Sequence, residues 1–197
     1  MPKMLRTACM ILAAVAMADL SLAQDRTASQ QDVDVLANAA LPLAKDLLWQ
    51  YGGFYPFGAA MLPNGQIDVI QGGDIGTMDD EIVANLVKNY RVAVAEGQFK
   101  AIAIIGDVMV PRDADSEPVS AVMIQLEHKG GTCVNRYFPY DMTVSGDDPL
   151  APQVSAIEFG ESWDTPRAGS VFTTCDAGQP DLDQLQDMLD QMQELAQ

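Results

Sequence analysis

The hydrophobic positions of this chain follow a helical period at first and change to strand-like patterns in its middle. Over about residues 30–51 the apolar side chains recur every three or four positions, which predicts an amphipathic helix. The segment from Ser29 to Asp32 resembles a capping box that would begin this helix, with Asp in place of Glu. Pro42 interrupts the pattern, so we expect a kink or two short helices.

A β-hairpin is predicted directly after this helix. Gly52 and Gly53 are placed to end the helix, because glycine adopts the left-handed C-terminal conformation at no steric cost. The residues Leu62-Pro63-Asn64-Gly65 are typical of a type I turn closed by a glycine bulge. We therefore expect strands near 54–62 and 66–70.

The next part of the chain predicts a second helix and three strands. The helix is expected near 79–97, with Thr77 or Asp79 as its cap. Its first turn holds Asp79, Asp80 and Glu81, whose carboxylates interact favourably with the helix dipole. The strands are expected near 100–110, 119–128 and 133–140. The first of them is an almost unbroken apolar run, which indicates a central strand covered on both faces.

The C-terminal third is less regular until its last helix. Prolines and glycines interrupt residues 141–179, where we expect only short strands at 154–159 and 170–174. A final helix is predicted over 181–195 by a stripe of leucines and methionine. Its other face carries four carboxylates, Asp183, Asp187, Asp190 and Glu194.

This order predicts one α+β domain over residues 24–197. It would contain an antiparallel sheet of about five strands with helices on its faces, in the order helix, two strands, helix, three strands, helix. The order is similar to that of roadblock-like and profilin-like domains, a resemblance of topology that implies no function. The segment Gly52-Gly53-Phe54-Tyr55-Pro56-Phe57-Gly58 before the Asn-Gly hairpin resembles small exported bacterial domains of unknown function. That resemblance covers about twenty residues and implies a role in the fold rather than in a reaction.

Residues 1–23 have the form of a signal peptide. Lys3 and Arg6 precede an apolar run at 8–17, and Ser21-Leu22-Ala23 supplies small residues at positions −3 and −1 of a cleavage site. The apolar run is too short to span a bilayer comfortably. We expect the mature chain to begin at Gln24 and to be released into a bacterial periplasm or the medium, without stable membrane insertion.

The balance of charge narrows the classes of partner. The chain has 11 Lys and Arg against 28 Asp and Glu, a formal net charge of −17 at pH 7. Such a surface repels nucleic acid and anionic lipid, because phosphate contacts need Lys or Arg. It suits solubility, cations or a basic protein partner. The leading hypothesis is an exported, non-enzymatic interaction domain for a basic exported protein; the alternative is a small-ligand or cation-binding domain. No cofactor is expected.

Two cysteines remain after the expected cleavage, Cys133 and Cys175. An even number of cysteines in an oxidising compartment predicts a disulfide between them. The alternative is a pair of thiols in a metal or redox site, but the sequence has no C-x-x-C motif and its only imidazole is His128.

Few residues are candidates for chemistry. An enzyme using His128 with nearby carboxylates is a third hypothesis, although the alternation of its strand places this histidine on the apolar side. Asp113, Asp115 and Glu117 have the every-second-residue spacing that a calcium loop can use. They lack the glycine and the bidentate Glu of an EF-hand, and an exposed acidic loop is the more ordinary explanation.

An aromatic cluster surrounds the junction between the first helix and the hairpin. It consists of Trp49, Tyr51, Phe54, Tyr55 and Phe57. Three roles fit such a cluster: a ligand platform, an anchor for a partner, or packing between the helix and the hairpin. Together with the four carboxylates of the last helix, these aromatic residues are the candidates for interaction.

Overall fold

The computed structural model describes the backbone of residues 5–72, 78–113, 116–145 and 153–178, and side chains within these ranges from residue 27 to residue 175. This part of the chain contains two α-helices and one short 3-10 helix, which are α1 (Leu5–Tyr51), α2 (Asp79–Ala95) and the 3-10 helix Thr173–Gly178. Its strands are β1 (Phe57–Met61), β2 (Ile67–Gln71), β3 (Ala101–Pro111), β4 (Pro118–His128), β5 (Cys133–Ser145), β6 (Gln153–Phe159) and β7 (Trp163–Pro166).

All seven strands belong to one antiparallel sheet. Their order is β2-β1-β3-β4-β5-β6, and β7 also pairs with β5. β6 and β7 pair with consecutive stretches of β5, since Tyr140 lies opposite Phe159 and Tyr137 lies opposite Trp163. The two short strands therefore continue one another along β5. At the other end of the sheet, β2 pairs only with β1 in the described part of the chain and forms an edge.

The predicted roadblock-like or profilin-like order with about five strands is wrong. The described residues contain five strands after α2 instead of three. The difference arises because β5 continues to Ser145 rather than ending near residue 140, and this extra length pairs with β6. The short strand expected at 154–159 is present, but the one expected at 170–174 is absent and β7 lies before it. The helix predicted over 181–195 lies outside the described residues.

The first helix differs from its prediction at both Ser29 and Pro42. α1 already runs through Ser29, so Ser29 to Asp32 is not a capping box. α1 also continues through Pro42, which rules out two short helices. Pro42 has no N–H group, so the carbonyl oxygen of Asn38 loses its helical hydrogen bond. Both residues are exposed, so water can donate the missing hydrogen bond. The predicted cleavage site after Ala23 falls among residues whose side chains are not described, and it remains a prediction.

The sheet has a hydrophobic core on each face. α1 contributes Val33, Leu36 and Leu48 to the first core, where they pack with side chains of β1, β3, β4 and β5. α2 covers β1 and β3 from the opposite face. The buried Tyr90 of α2 donates its hydroxyl hydrogen to the carbonyl oxygens of Ala59 and Ala103, at 3.1 and 3.2 Å. β3 is therefore covered on both faces, as its apolar sequence predicts.

The turn and capping predictions are confirmed in part. Gly65 has φ +88° in the tight turn between β1 and β2, where the amide of Leu62 donates to the carbonyl oxygen of Gln66. Gly52 has φ +72° and ends α1 as predicted. The cap of α2 is Met78, without a side-chain hydrogen bond, so Asp79 begins the helix instead of capping it. Thr77 lies outside the described residues.

The segment after β7 lies on the α2 face, where it has two main attachments besides single hydrogen bonds such as that from Arg91 Nε to the carbonyl oxygen of Ser170 at 2.7 Å. The predicted disulfide is confirmed: Cys133, the first residue of β5, is joined to Cys175, with their Cα atoms 5.5 Å apart. The second attachment is Glu127 of β4, whose buried carboxylate accepts hydrogen bonds from residues 167–172. None of the helices in the described residues combines the length and hydrophobicity that a bilayer span requires.

Candidate functional site

A cavity of about 950 Å³ lies where the C-terminal end of α1, the edge strand β2 and the start of α2 meet. Its lining is mostly apolar and aromatic. The lining residues are Leu43, Leu47 and Tyr51 of α1, Gly53 to Phe57 of the following segment, Val69 and Gln71 of β2, Gly72, and Asp79 of α2. Four of the five aromatic candidates line this cavity, and Trp49 is exposed elsewhere on α1.

The local sequence explains why the aromatic side chains surround an open space. α1 ends at Tyr51, and the left-handed Gly52 redirects the chain towards β1. Phe57 is buried, and Phe54 packs against it with their ring centroids 5.7 Å apart. Tyr51 and Tyr55, by contrast, are 65% and 58% exposed. The cluster thus provides packing and leaves an accessible aromatic rim, while a ligand platform and a partner anchor remain predictions.

Two carboxylates lie at this cavity. Asp79 lines it, and Asp107 of β3 lies beside Gly53, because a Cβ at Gly53 would be 3.4 Å from Asp107 Oδ2. Tyr140 donates its hydroxyl hydrogen to Asp107 Oδ1 at 2.7 Å. Burial and the negative charge of Asp79 raise the pKa of Asp107, against the opposing effect of the Tyr140 hydrogen bond. The two carboxylates are therefore close enough to repel one another.

Neither carboxylate has a cationic partner in the described part of the chain. The ion pairs there use Asp32, Asp34, Glu127 and Asp164 as their anions. No lysine or arginine is among the described lining residues of the cavity. Within the described residues, the cavity therefore combines apolar walls with carboxylates that form no ion pair.

A second polar cluster lies on the α1 face of the sheet, further towards the N-terminus of α1. Asp32 accepts a hydrogen bond from Lys100 Nζ at 2.8 Å and lies 3.0 Å from His128 Nε2. The amide of Gly130 donates to His128 Nδ1 at 2.8 Å, so Nε2 carries the ring proton and donates it to Asp32. Both ring nitrogens of His128 are therefore engaged, and this geometry offers no free base to the hypothesis of an enzyme using His128.

Ser29 adds the third residue type of a Ser-His-Asp triad but not its geometry. The side chain is buried, and its hydroxyl lies 2.6 Å from the hydroxyl of Thr132. In a triad the serine would bond to the histidine nitrogen that does not face the aspartate, and here the Gly130 amide occupies that nitrogen. The cluster instead ties α1 to Lys100, directly before β3, and to His128 at the end of β4.

We expect acid to destabilise this second cluster. Burial lowers the pKa of His128 below its usual 6.5, an effect that outweighs the opposing hydrogen bond and charge of Asp32, while Lys100 and Lys129 lower it further. The unfolded chain therefore binds the proton more readily, and the stability present above pH 6.5 is lost as the pH falls towards the folded-state pKa. Because His128 is the only histidine, an NMR titration of its C2 proton measures this pKa directly.

The control for this prediction is His128→Gln, which should remove the part of the stability change between pH 7 and pH 5 that the imidazole causes. A folded-state pKa at or above 6.5 would contradict the prediction.

The Asp32 carboxylate loses its contribution to the stability of the fold at a lower pH than His128 does. Its pKa lies below the usual 3.8, because the hydrogen bonds from Lys100 and His128 outweigh its burial.

The remaining candidates from the sequence are only partly described. The amide of Asp113 donates to Ser116 Oγ at 2.9 Å, and Asp115 lies outside the described residues, so the calcium loop with Glu117 remains a prediction. No group of three His, Cys, Asp or Glu side chains within the described ranges is placed to hold a metal ion. The four carboxylates of the predicted last helix also lie outside those ranges. Sequence reasoning missed Asp79 and Asp107 as neighbours because only the fold brings them together.

Comparison of the chain with protein-family models, with curated proteins and with solved structures finds no match in any of the three.

Proposed function

We propose that this protein is an exported binding domain that holds a small, largely apolar molecule in the cavity between α1, β2 and α2. The observation that carries the proposal is the cavity itself. Its volume of about 950 Å³ lies within the range of small-molecule sites, which are typically lined by apolar and aromatic side chains with few polar groups.

The accessible apolar surface supports the proposal. Tyr51, Tyr55 and Val69 are each more than half exposed, and all three line the cavity together with the 36% exposed Leu43. Exposed apolar side chains scattered singly are ordinary, but a contiguous group around a concave site favours a binding role. An apolar ligand would cover these side chains and gain the hydrophobic free energy of their burial.

Two further observations support an exported protein that binds rather than reacts. The disulfide between Cys133 and Cys175 is typical of proteins in an oxidising compartment. The described lining residues include no serine, threonine, cysteine, histidine or lysine. Of the groups that act as nucleophiles or general bases in enzymes, the described lining offers only Asp79 and the hydroxyls of Tyr51 and Tyr55, which favours binding.

Filling the cavity should prevent binding of an apolar probe. We expect Val69→Trp to weaken the binding of the neutral dye Nile red to the mature protein by about tenfold or more, since the indole would occupy ligand volume. Val92→Trp is the matched control, because Val92 is 57% exposed against 54% for Val69 but does not line the cavity. Fluorescence titration measures the affinities, and thermal melts check that both variants fold. The proposal fails if the wild-type protein does not bind the dye or if both variants bind it equally well.

A further inference from the structure

We infer that the natural ligand is an amphipathic cation, an apolar body carrying one ammonium or guanidinium group, and that Asp79 binds this group inside the cavity. The inference rests on the proposed function and specifies the chemical class of the ligand. Its starting point is the presence of Asp79 among lining residues that are, apart from Gln71 and two glycines, apolar or aromatic.

Charge complementarity selects a cation over an anion or a neutral molecule. Asp79 lines the cavity and Asp107 lies beside the lining residue Gly53, and neither forms an ion pair among the described residues. A cation bound next to Asp79 would reduce the repulsion between the two carboxylates. An anionic ligand would meet two carboxylates in a chain of net charge −17.

The aromatic rim favours the same class of ligand. The faces of tyrosine and phenylalanine rings attract cations, and the attraction grows when the cation is shielded from water. Tyr51, Phe54 and Tyr55 line the cavity together with Asp79. The ammonium group of such a ligand can therefore interact with a carboxylate and with ring faces, while the apolar body of the ligand covers Leu47 and Val69.

The first step of the test compares two probes that differ in charge. 1-Naphthylmethylamine and 1-naphthalenemethanol share one apolar ring system, and only the amine carries a positive charge at pH 7. We expect the full mature protein to bind the amine about tenfold more tightly than the alcohol, as measured by isothermal titration calorimetry. Equal affinity for the two probes would overturn the inference and leave the proposed function standing.

The second step assigns the charge preference to one residue. Asp79→Asn should abolish the preference for the amine and keep binding of the alcohol, whereas Asp80→Asn should retain the preference. The two variants remove the same charge from adjacent positions of α2, but Asp80 does not line the cavity and accepts a hydrogen bond from the Glu81 amide. An equal loss of preference in both variants would overturn the role of Asp79.

The outcomes also separate this inference from the proposed function. If Nile red binds but neither naphthyl compound does, the assignment to an amphipathic cation is wrong. If neither the dye nor the naphthyl compounds bind, both this inference and the proposed function are wrong. Thermal melts of both Asn variants show whether a lost preference reflects a lost fold.

Discussion

Replacing Glu127 with glutamine should lower the free energy of unfolding by about 3–5 kcal/mol, because it breaks one side of a buried charged network. The side chain of Glu127 is completely buried. Oε1 accepts hydrogen bonds from Arg167 Nη1 at 2.7 Å and from the amide and hydroxyl of Ser170 at 2.8 and 2.7 Å. Oε2 accepts from the amides of Val171 and Phe172 at 2.8 and 3.0 Å.

Glutamine cannot satisfy these donors. It offers a single acceptor oxygen, and its amide group would face donors on the other side. The amides left without an acceptor would each incur part of their desolvation cost, and Arg167 would lose its counter-ion. We therefore expect residues 167–172 to detach from β4.

The same network predicts how stability depends on acid. Burial alone would raise the pKa of Glu127, but the hydrogen bonds from Ser170 and from the amides of Phe172 and Val171 outweigh it and lower the pKa below the usual 4.5. A depressed pKa means that the carboxylate stabilises the fold above pH 4.5, and that this stability is lost as the pH falls towards the folded-state pKa.

Urea unfolding at pH 7 measures the effect of Glu127→Gln. Glu158→Gln is the matched control, since Glu158 is an exposed strand residue of β6, and its replacement should cost less than about 0.5 kcal/mol. The prediction is contradicted if the two variants are equally stable, or if Glu127→Gln retains the full acid dependence of the wild type below pH 4.5.

The position of Glu127 shows what the sequence could not predict. The alternation of β4 places Val122, Ile124 and Leu126 on one face and Glu127 on the other. Alternation identifies the face of a side chain but not the element that covers it. The segment that buries Glu127 lies about forty residues later in a stretch without periodicity, so its carboxylate would be expected in solvent.

Local signals predicted the elements around the candidate site. Gly52 and the Asn64-Gly65 turn determine where the chain leaves α1 and where β1 folds back on β2, because their backbone requirements act over a few residues. The sequence shows that the aromatic residues lie close together along the chain, but it does not show that four of them line a cavity. Asp107 stands in a long apolar run, and only the pairing of β3 and the end of α1 bring it beside Gly53.

The capping-box interpretation of Ser29 to Asp32 failed for a related reason. Both residues have the chemistry of helix caps, but the helix begins earlier and their side chains bond to Thr132, Lys100 and His128 instead. A polar residue near a helix start has the same local signature whether it bonds to its own backbone or to a strand about a hundred residues away. Sequence spacing alone does not distinguish the two.

Removing the disulfide should have an effect similar in size to that of Glu127→Gln. Cys133 and Cys175 are separated by 42 residues, and a closed loop of that length stabilises a fold by about 4 kcal/mol in the chain-entropy model. The variant with both Cys133→Ala and Cys175→Ala should lose about that much in urea unfolding. The control is the wild-type protein unfolded with and without a reducing agent. A loss below about 1 kcal/mol would contradict the prediction, since typical disulfides contribute more.

The disulfide and Glu127 hold neighbouring parts of one segment, so their effects should not be independent. Ser170→Ala removes one hydrogen bond to the Glu127 carboxylate and should cost about 1.5–3 kcal/mol while the disulfide is intact. In the protein without the two cysteines the segment is already less constrained, and the same substitution should cost roughly half as much. Urea unfolding of the four proteins in this cycle measures the coupling. Equal costs of Ser170→Ala in both backgrounds would contradict this coupling and show that the two attachments act separately.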